Sequence, residues 1–207
     1  MEYLAEITPE LAAQKAKEFG FNRSTRNWMD IVQDPDVDVV DICTPNFLHK
    51  DIALAAIANG KHIYSEKPLA LNAADAKLMY KAAKKSGVKT LVGFNYIKNP
   101  TTQLAREIIE RGEIGEVVHF YGTHNEDYLA DANTPLDWHC IREKAGLGAL
   151  GDLSAHIVQM SQYLLGQDIK EVIGDMETVI KTRPNPQNWD RDRKKDNRPR
   201  QLFLDHW

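Results

Sequence analysis

Strand-like and helix-like segments alternate through the first 95 residues, and this alternation restricts the chain to a sheet built from parallel strands. Tyr3 to Ile7 reads as a short strand. Val37 to Ile42 is rich in β-branched residues and reads as a second, followed by His62 to Ser65 and by Val88 to Phe94. Helix signals lie between them. Thr8 is placed to cap a helix with Pro9 at its first position, and Gly20 stops that helix after Phe19. Trp28 to Val32 forms a short helix. Leu48 to Ala58 is helical and stopped by Asn59-Gly60, and Asn72 caps a helix from Ala73 to Ser86 that Gly87 ends. Strands joined by helices of this length lie parallel, because the chain must cross over before it can pair again.

The pattern changes after Asn95-Tyr96. A helix from Thr101 to Glu110 leads through Gly112 and Gly115 into a predicted long strand, Glu116 to Asn125. A loop follows, from Asp127 to Gly148. A helix is predicted from about Asp152 to Leu165, then a second long strand, Lys170 to Lys181. Long strands with few crossover helices predict a second, mostly antiparallel sheet. The predicted organisation is thus α/β: a parallel-sheet domain over 1–97, an α+β domain over 98–182, and an irregular tail over 183–207. Between Arg183 and Arg200 the tail holds three Pro and seven Lys or Arg against three Asp, without apolar periodicity. It is expected to be a mobile surface segment.

The net charge of −4 gives no reason to expect a nucleic-acid or anionic-membrane partner. No apolar run approaches the roughly 18 residues of a membrane span, and Met1-Glu2-Tyr3-Leu4 does not open a signal peptide. The two cysteines, Cys43 and Cys140, make neither a disulfide framework nor a zinc site. Reduced thiols and a cytoplasmic location are the expectation.

Two segments carry candidate chemistry. Ser65-Glu66-Lys67-Pro68 follows a predicted strand, where open α/β sheets place their ligand groups. In Gly151-Asp152-Leu153-Ser154-Ala155-His156, Asp152 and His156 are spaced i, i+4 and share one helical face. A lysine, an aspartate and a histidine together are equipped to move a proton from a sugar hydroxyl. Each also has a plain structural reading. Asp152 can cap a helix, His156 can be a core histidine, Lys67 a solvated loop lysine, and Thr44-Pro45-Asn46 a turn. A metal bound by Asp152 and His156 is not expected, since no third ligand stands at useful spacing.

Taken in order, Thr44-Pro45-Asn46 after a strand, His49, Glu66-Lys67-Pro68, Gly93-Phe94-Asn95-Tyr96, and Gly151-Asp152 with His156 resemble the Gfo/Idh/MocA oxidoreductases. The resemblance spans about Tyr3 to Lys181. It implies a Rossmann-like domain that binds NAD or NADP, and a second domain that helps form the substrate site and a homo-oligomer interface. It implies Lys67, Asp152 and His156 as catalytic residues. Thr44, Pro45, Asn46, His49, Glu66, Lys67 and Asn95 would surround the nicotinamide half of the cofactor. Glu6 would hold the position of the acid that accepts the ribose hydroxyls, favouring NAD by repelling a 2′-phosphate. Tyr96, Asp127 and Trp138 are the candidate substrate contacts, in a loop suited to a polyhydroxylated ring. The implied reaction is reversible oxidation of a secondary alcohol of a sugar, polyol or cyclitol, with His156 as base.

The chain departs from the family pattern at both ends. It lacks the first strand and the Gly-x-Gly-x-x-Gly turn that cradles the pyrophosphate, so the sheet is expected to be partial and dinucleotide binding weak. Its last residues match nothing in the pattern. The alternative reading is a non-catalytic remnant that keeps a dimerising or sugar-binding surface.

Overall fold

The computed structural model describes residues 1–186 and 200–201. The chain divides into two compact units, Met1–Gly93 and the segment from Phe94 onward.

In the first unit the order is β1 (Tyr3–Ala5), α1 (Pro9–Phe19), β2 (Arg23–Thr25), α2 (Trp28–Gln33), β3 (Val39–Ile42), α3 (Asn46–Ala58), β4 (His62–Ser65), α4 (Ala73–Ser86) and β5 (Thr90–Val92). The helix ends are set locally. Thr8 accepts from the Leu11 amide, and Asn72 accepts from the Asp75 amide. Such caps contribute about 1 kcal/mol each. Gly20 and Gly87 close α1 and α4 with φ of 74° and 75°, a left-handed geometry that glycine adopts without strain.

Every strand pair in this unit is parallel, as the alternation predicts. β1 pairs β2, and β3, β4 and β5 pair in that order, with Ile42 opposite Ser65 and Ser65 opposite Val92. The two groups of strands are separate sheets rather than one. β3 and β4 alternate strictly. Val40, Ile42 and Ile63 face a core built with Ile52, Ala53, Ala56 and Ile57 of α3 and with Met79 and Ala83 of α4. Burying one side chain such as Ile42 contributes about 1.5–3 kcal/mol. The opposite face keeps Val39, Tyr64 and Leu91 exposed, so this parallel sheet is covered on one side, where such sheets are ordinarily covered on both.

The second unit holds a 3-10 turn at Asn95–Lys98, α5 (Pro100–Glu110), a 3-10 turn at Trp138–Cys140, α6 (Arg142–Ala145), a π-helical turn at Leu150–Ser154, α7 (Ala155–Leu165), β6 (Thr182–Arg183) and β7 (Arg200–Gln201). Three sequence expectations require correction here. The segments 116–125 and 170–181 form no hydrogen-bonded ladder among the described residues, and the antiparallel pairing described is the short β6–β7 pair. Val118, Tyr121, Val172 and Val179 along them are exposed. Strand propensity expresses packing against a neighbour, and without a paired strand these β-branched and aromatic residues do not make a sheet. The helix predicted from Asp152 begins as a wider π turn at Leu150. Arg183, assigned to a mobile tail, is buried at 4% exposure. The remaining tail, 187–199 and 202–207, lies outside the described residues.

Candidate functional site

The ends of β3, β4 and β5 lie level, because Ile42, Ser65 and Val92 are in register. The ladder continues one step further, with the Glu66 amide donating to the Ile42 carbonyl at 2.9 Å and the Gly93 amide to the Ser65 carbonyl at 2.8 Å. Thr44, Glu66 and Gly93 therefore leave the sheet at one edge, the carboxyl end where open α/β sheets receive ligands. Glu6 directly follows β1, and its carboxylate accepts from the Ile7 amide at 3.1 Å.

At this edge the Glu66 carboxylate lies over Gly93. A Cβ on Gly93 would stand 3.1 Å from Glu66 Oε1, so glycine leaves the carboxylate its place. The same carboxylate accepts from the Lys67 amide at 3.1 Å. The Lys67–Pro68 peptide is cis. Thr44 Oγ1 is buried and has no hydrogen-bond partner among the described residues. A buried hydroxyl without a partner is costly unless a ligand meets it, so this edge fits a group that brings hydrogen-bonding atoms of its own.

His49 has a different place from the one expected. It is fully buried, with Nε2 2.8 Å from the Thr44 carbonyl oxygen and Nδ1 3.0 Å from the Pro68 carbonyl oxygen. Both ring nitrogens lie against backbone carbonyls, one of them as the N–H donor, so His49 packs between the Thr44 turn and the Lys67–Pro68 turn. Asn46 is buried at the start of α3, after Pro45.

Within the second unit His156 is buried at the start of α7 and ringed by aromatic edges. Its centroid lies 4.6 Å from that of Tyr96, 5.6 Å from His124 and 5.9 Å from Phe94. Asp152 lies in the π turn and does not cap the helix. One of its carboxylate oxygens accepts from the Tyr128 hydroxyl at 3.0 Å. Burial first, and then the charge of Asp152, push the Tyr128 phenol up, which keeps it a donor. π turns inside helices recur at functional sites, where they re-aim side chains.

Tyr128 also lines a cavity of about 610 Å³ with Leu129, Leu136, Asp137, Trp138 and His139. The rings of Trp138 and His139 stack at 3.6 Å, and His139 Nδ1 pairs with the Asp137 carboxylate. Asp127 is exposed and supplies its carbonyl to the Ala130 amide at the head of this loop; it is not among the lining residues. Asn95 is exposed in the 3-10 turn. Sequence reasoning passed over His124 and the Asp137–His139 pair, whereas Tyr128 lies in the loop expected to line a pocket and does line this one. The cluster Asp137-Trp138-His139 was a visible signal for the last, while His124 gave none, lying far in sequence from His156. Among the described residues no group of three or more His, Cys, Asp or Glu is arranged to hold a metal ion, and no helix is long and apolar enough to cross a membrane.

Comparison with known proteins places the chain in a family. Residues 2–94 match the oxidoreductase family with NAD-binding Rossmann fold, and residues 102–196 match the GFO/IDH/MocA C-terminal domain. The chain is 46% identical over 181 residues to levoglucosan dehydrogenase of Pseudarthrobacter phenanthrenivorans, covering 87% of this chain and 46% of that protein. It is 32% identical over 163 residues to scyllo-inositol 2-dehydrogenase (NAD(+)) of Bacillus subtilis, covering 79% of this chain and 45% of that protein. A structure of levoglucosan dehydrogenase in complex with NADH and levoglucosan superposes with a TM-score of 0.87 at 46% identity, covering 89% of this chain and 50% of that one. The chain thus spans about half the length of the curated relatives it matches. By both of its matched segments, the chain belongs to the Gfo/Idh/MocA family of oxidoreductases.

Proposed function

We propose that this chain carries the nucleotide-binding unit and the catalytic helix of an NAD-dependent dehydrogenase that oxidises a secondary alcohol of a sugar, polyol or cyclitol. The observation that carries the reading is His156, a buried imidazole four residues after Asp152 and packed by Phe94, Tyr96 and His124. A base so held has few orientations to choose from, which favours proton transfer over solvation.

In this reading His156 takes the hydroxyl proton on a ring nitrogen. Asp152 stabilises the resulting imidazolium, and Tyr128 holds the Asp152 carboxylate by its 3.0 Å hydrogen bond. Lys67 would donate a hydrogen bond to the reacting oxygen. Bound NAD supplies the hydride acceptor. Thr44, Asn46, Glu66 and Lys67 would hold its nicotinamide half, and Glu6 the ribose hydroxyls of its adenosine half. The substrate class is supported by the sugar and cyclitol dehydrogenases to which the chain is similar; the open cavity at Tyr128 and Trp138 is joined to Asp152 by the Tyr128 hydrogen bond, and neither Asp152 nor His156 lines it. Val118, Tyr121, Val172 and Val179, each 80% exposed or more, support association of the second unit with another copy of the chain.

The test is NADH formation by the native protein that contains this chain, supplied with NAD and with levoglucosan, myo-inositol or scyllo-inositol. Turnover of at least one is expected, with His156→Asn lowering kcat by about 10²–10⁴ and leaving NADH affinity unchanged. Wild-type turnover by His156→Asn would overturn the assignment.

A further inference from the structure

The loop over 129–136, which forms one wall of the Trp138 cavity, is held by a residue about fifty positions later. Arg183 donates through one guanidinium nitrogen to the Asp131 carbonyl at 2.8 Å and the Thr134 carbonyl at 3.2 Å, and through another to the Leu129 carbonyl. Its neighbour Pro184 accepts from the Leu136 amide at 2.8 Å. Pro186, two residues on, lines the cavity itself.

Three carbonyl oxygens brought to one place are held together by a group that offers several N–H donors at once. Guanidinium is suited to this, because it is always charged and presents several N–H groups in a fixed plane. Within the loop the Asp131 carbonyl also accepts from the Thr134 amide at 3.1 Å, and no helix or sheet supplies further donors to the Leu129 and Thr134 carbonyls. Leu129, Thr134 and Leu136 line the cavity from the same loop.

We propose that Arg183 is a positioning residue that sets the shape of the Trp138 cavity, acting through the 129–136 loop without lining the cavity itself. The ligand class, a polyhydroxylated ring, rests on the function proposed above; the clasp does not.

The experiment compares the full 207-residue chain as wild type, Arg183→Lys and Arg183→Met. Amide hydrogen exchange is read by mass spectrometry, and levoglucosan binding by ligand-observed NMR. Arg183→Met is expected to speed exchange over 129–136 at least about ten-fold, as loss of charge-assisted hydrogen bonds requires, while α5 and α7 exchange as in wild type. Arg183→Lys keeps the charge but not the fork, and should fall between. Levoglucosan affinity should drop with the loss of protection. Unchanged exchange over 129–136, an increase spread evenly over the second unit, or wild-type sugar affinity in Arg183→Met would each overturn the proposal. If the wild type binds neither levoglucosan nor myo-inositol, the polyol reading fails and the exchange pattern alone decides for or against Arg183.

Discussion

The Tyr128 hydroxyl donates to Asp152 at 3.0 Å, linking the loop that lines the cavity to the π turn that precedes α7. The phenol is pushed up by burial and by the Asp152 charge, so it stays protonated through neutral pH and on the alkaline side. Tyr128→Phe removes the bond and keeps the ring. The bond is exposed, so its net contribution is about 0.5–1.5 kcal/mol, and kcat/KM in the proposed reaction should fall about two- to ten-fold. Steady-state kinetics on the native protein checks this, and an unchanged value would separate Tyr128 from the chemistry.

His49 makes a comparable link in the first unit. Replacing it by Leu leaves without its donor whichever of the Thr44 and Pro68 carbonyls the ring N–H meets, beside a fully buried side chain. An unsatisfied buried group costs about 1–3 kcal/mol, so His49→Leu should lower the urea midpoint of the first unit. His49→Gln keeps one amide donor and should recover part of the loss. Equal destabilisation by both variants would show that ring packing, not hydrogen bonding, is what His49 supplies.

Cys43 is a poor nucleophile by its surroundings. Cys43 is exposed, but desolvation by the chain around it and then the nearby Asp41 charge push its thiol up to about 11, and the thiol donates to Asp41 at 3.4 Å. At pH 8 only about one thiol in a thousand would be thiolate. Alkylation by iodoacetamide, followed by intact-mass spectrometry, should be slow at pH 8 and should accelerate in Asp41→Asn. Rapid labelling of wild-type Cys43 at pH 8 would contradict this.

The Arg23–Asp34 pair gives the first unit an acid-sensitive brace. Arg23 bonds Asp34 at 2.6 Å and Glu2 at 2.9 Å. The Arg23 hydrogen bond holds the Asp34 carboxyl below its ordinary value of 3.8. A depressed carboxyl stabilises the fold above its unfolded value, and that contribution is lost as pH falls through the lower folded value. Thermal unfolding between pH 6 and pH 2 should therefore show a smaller acid-induced drop in Arg23→Met than in wild type. Identical profiles would mean that the pair is screened by solvent.

Much of the first unit was legible because its signals are local. Thr8 with Gly20, and Asn72 with Gly87, mark helix ends through bonds reaching only a few residues. The alternation in Val39–Ile42 and His62–Ser65 marks the buried face of each strand. β2 was missed, since Arg23-Ser24-Thr25 is polar and short and becomes a strand only by pairing with β1. The long strands predicted over 116–125 and 170–181 failed for the complementary reason: their residues have the propensity but no paired neighbour.

The site divides along the same line. The residue types at Lys67, Asp152 and His156, and their order with Thr44-Pro45-Asn46, identified the family from the sequence, because motif spacing survives without coordinates. What each side chain meets was decided by tertiary structure. His49 passed from candidate ligand contact to a buried tie between two turns, Tyr128 became the partner of Asp152, and Arg183 moved from an expected mobile tail to a clasp on the loop that lines a cavity. The sequence determined which groups are available and which local segments coil or extend. Only the fold decided which donors meet which acceptors across tens of residues, because hydrogen bonds and packing act over a few ångströms in space, regardless of separation along the chain.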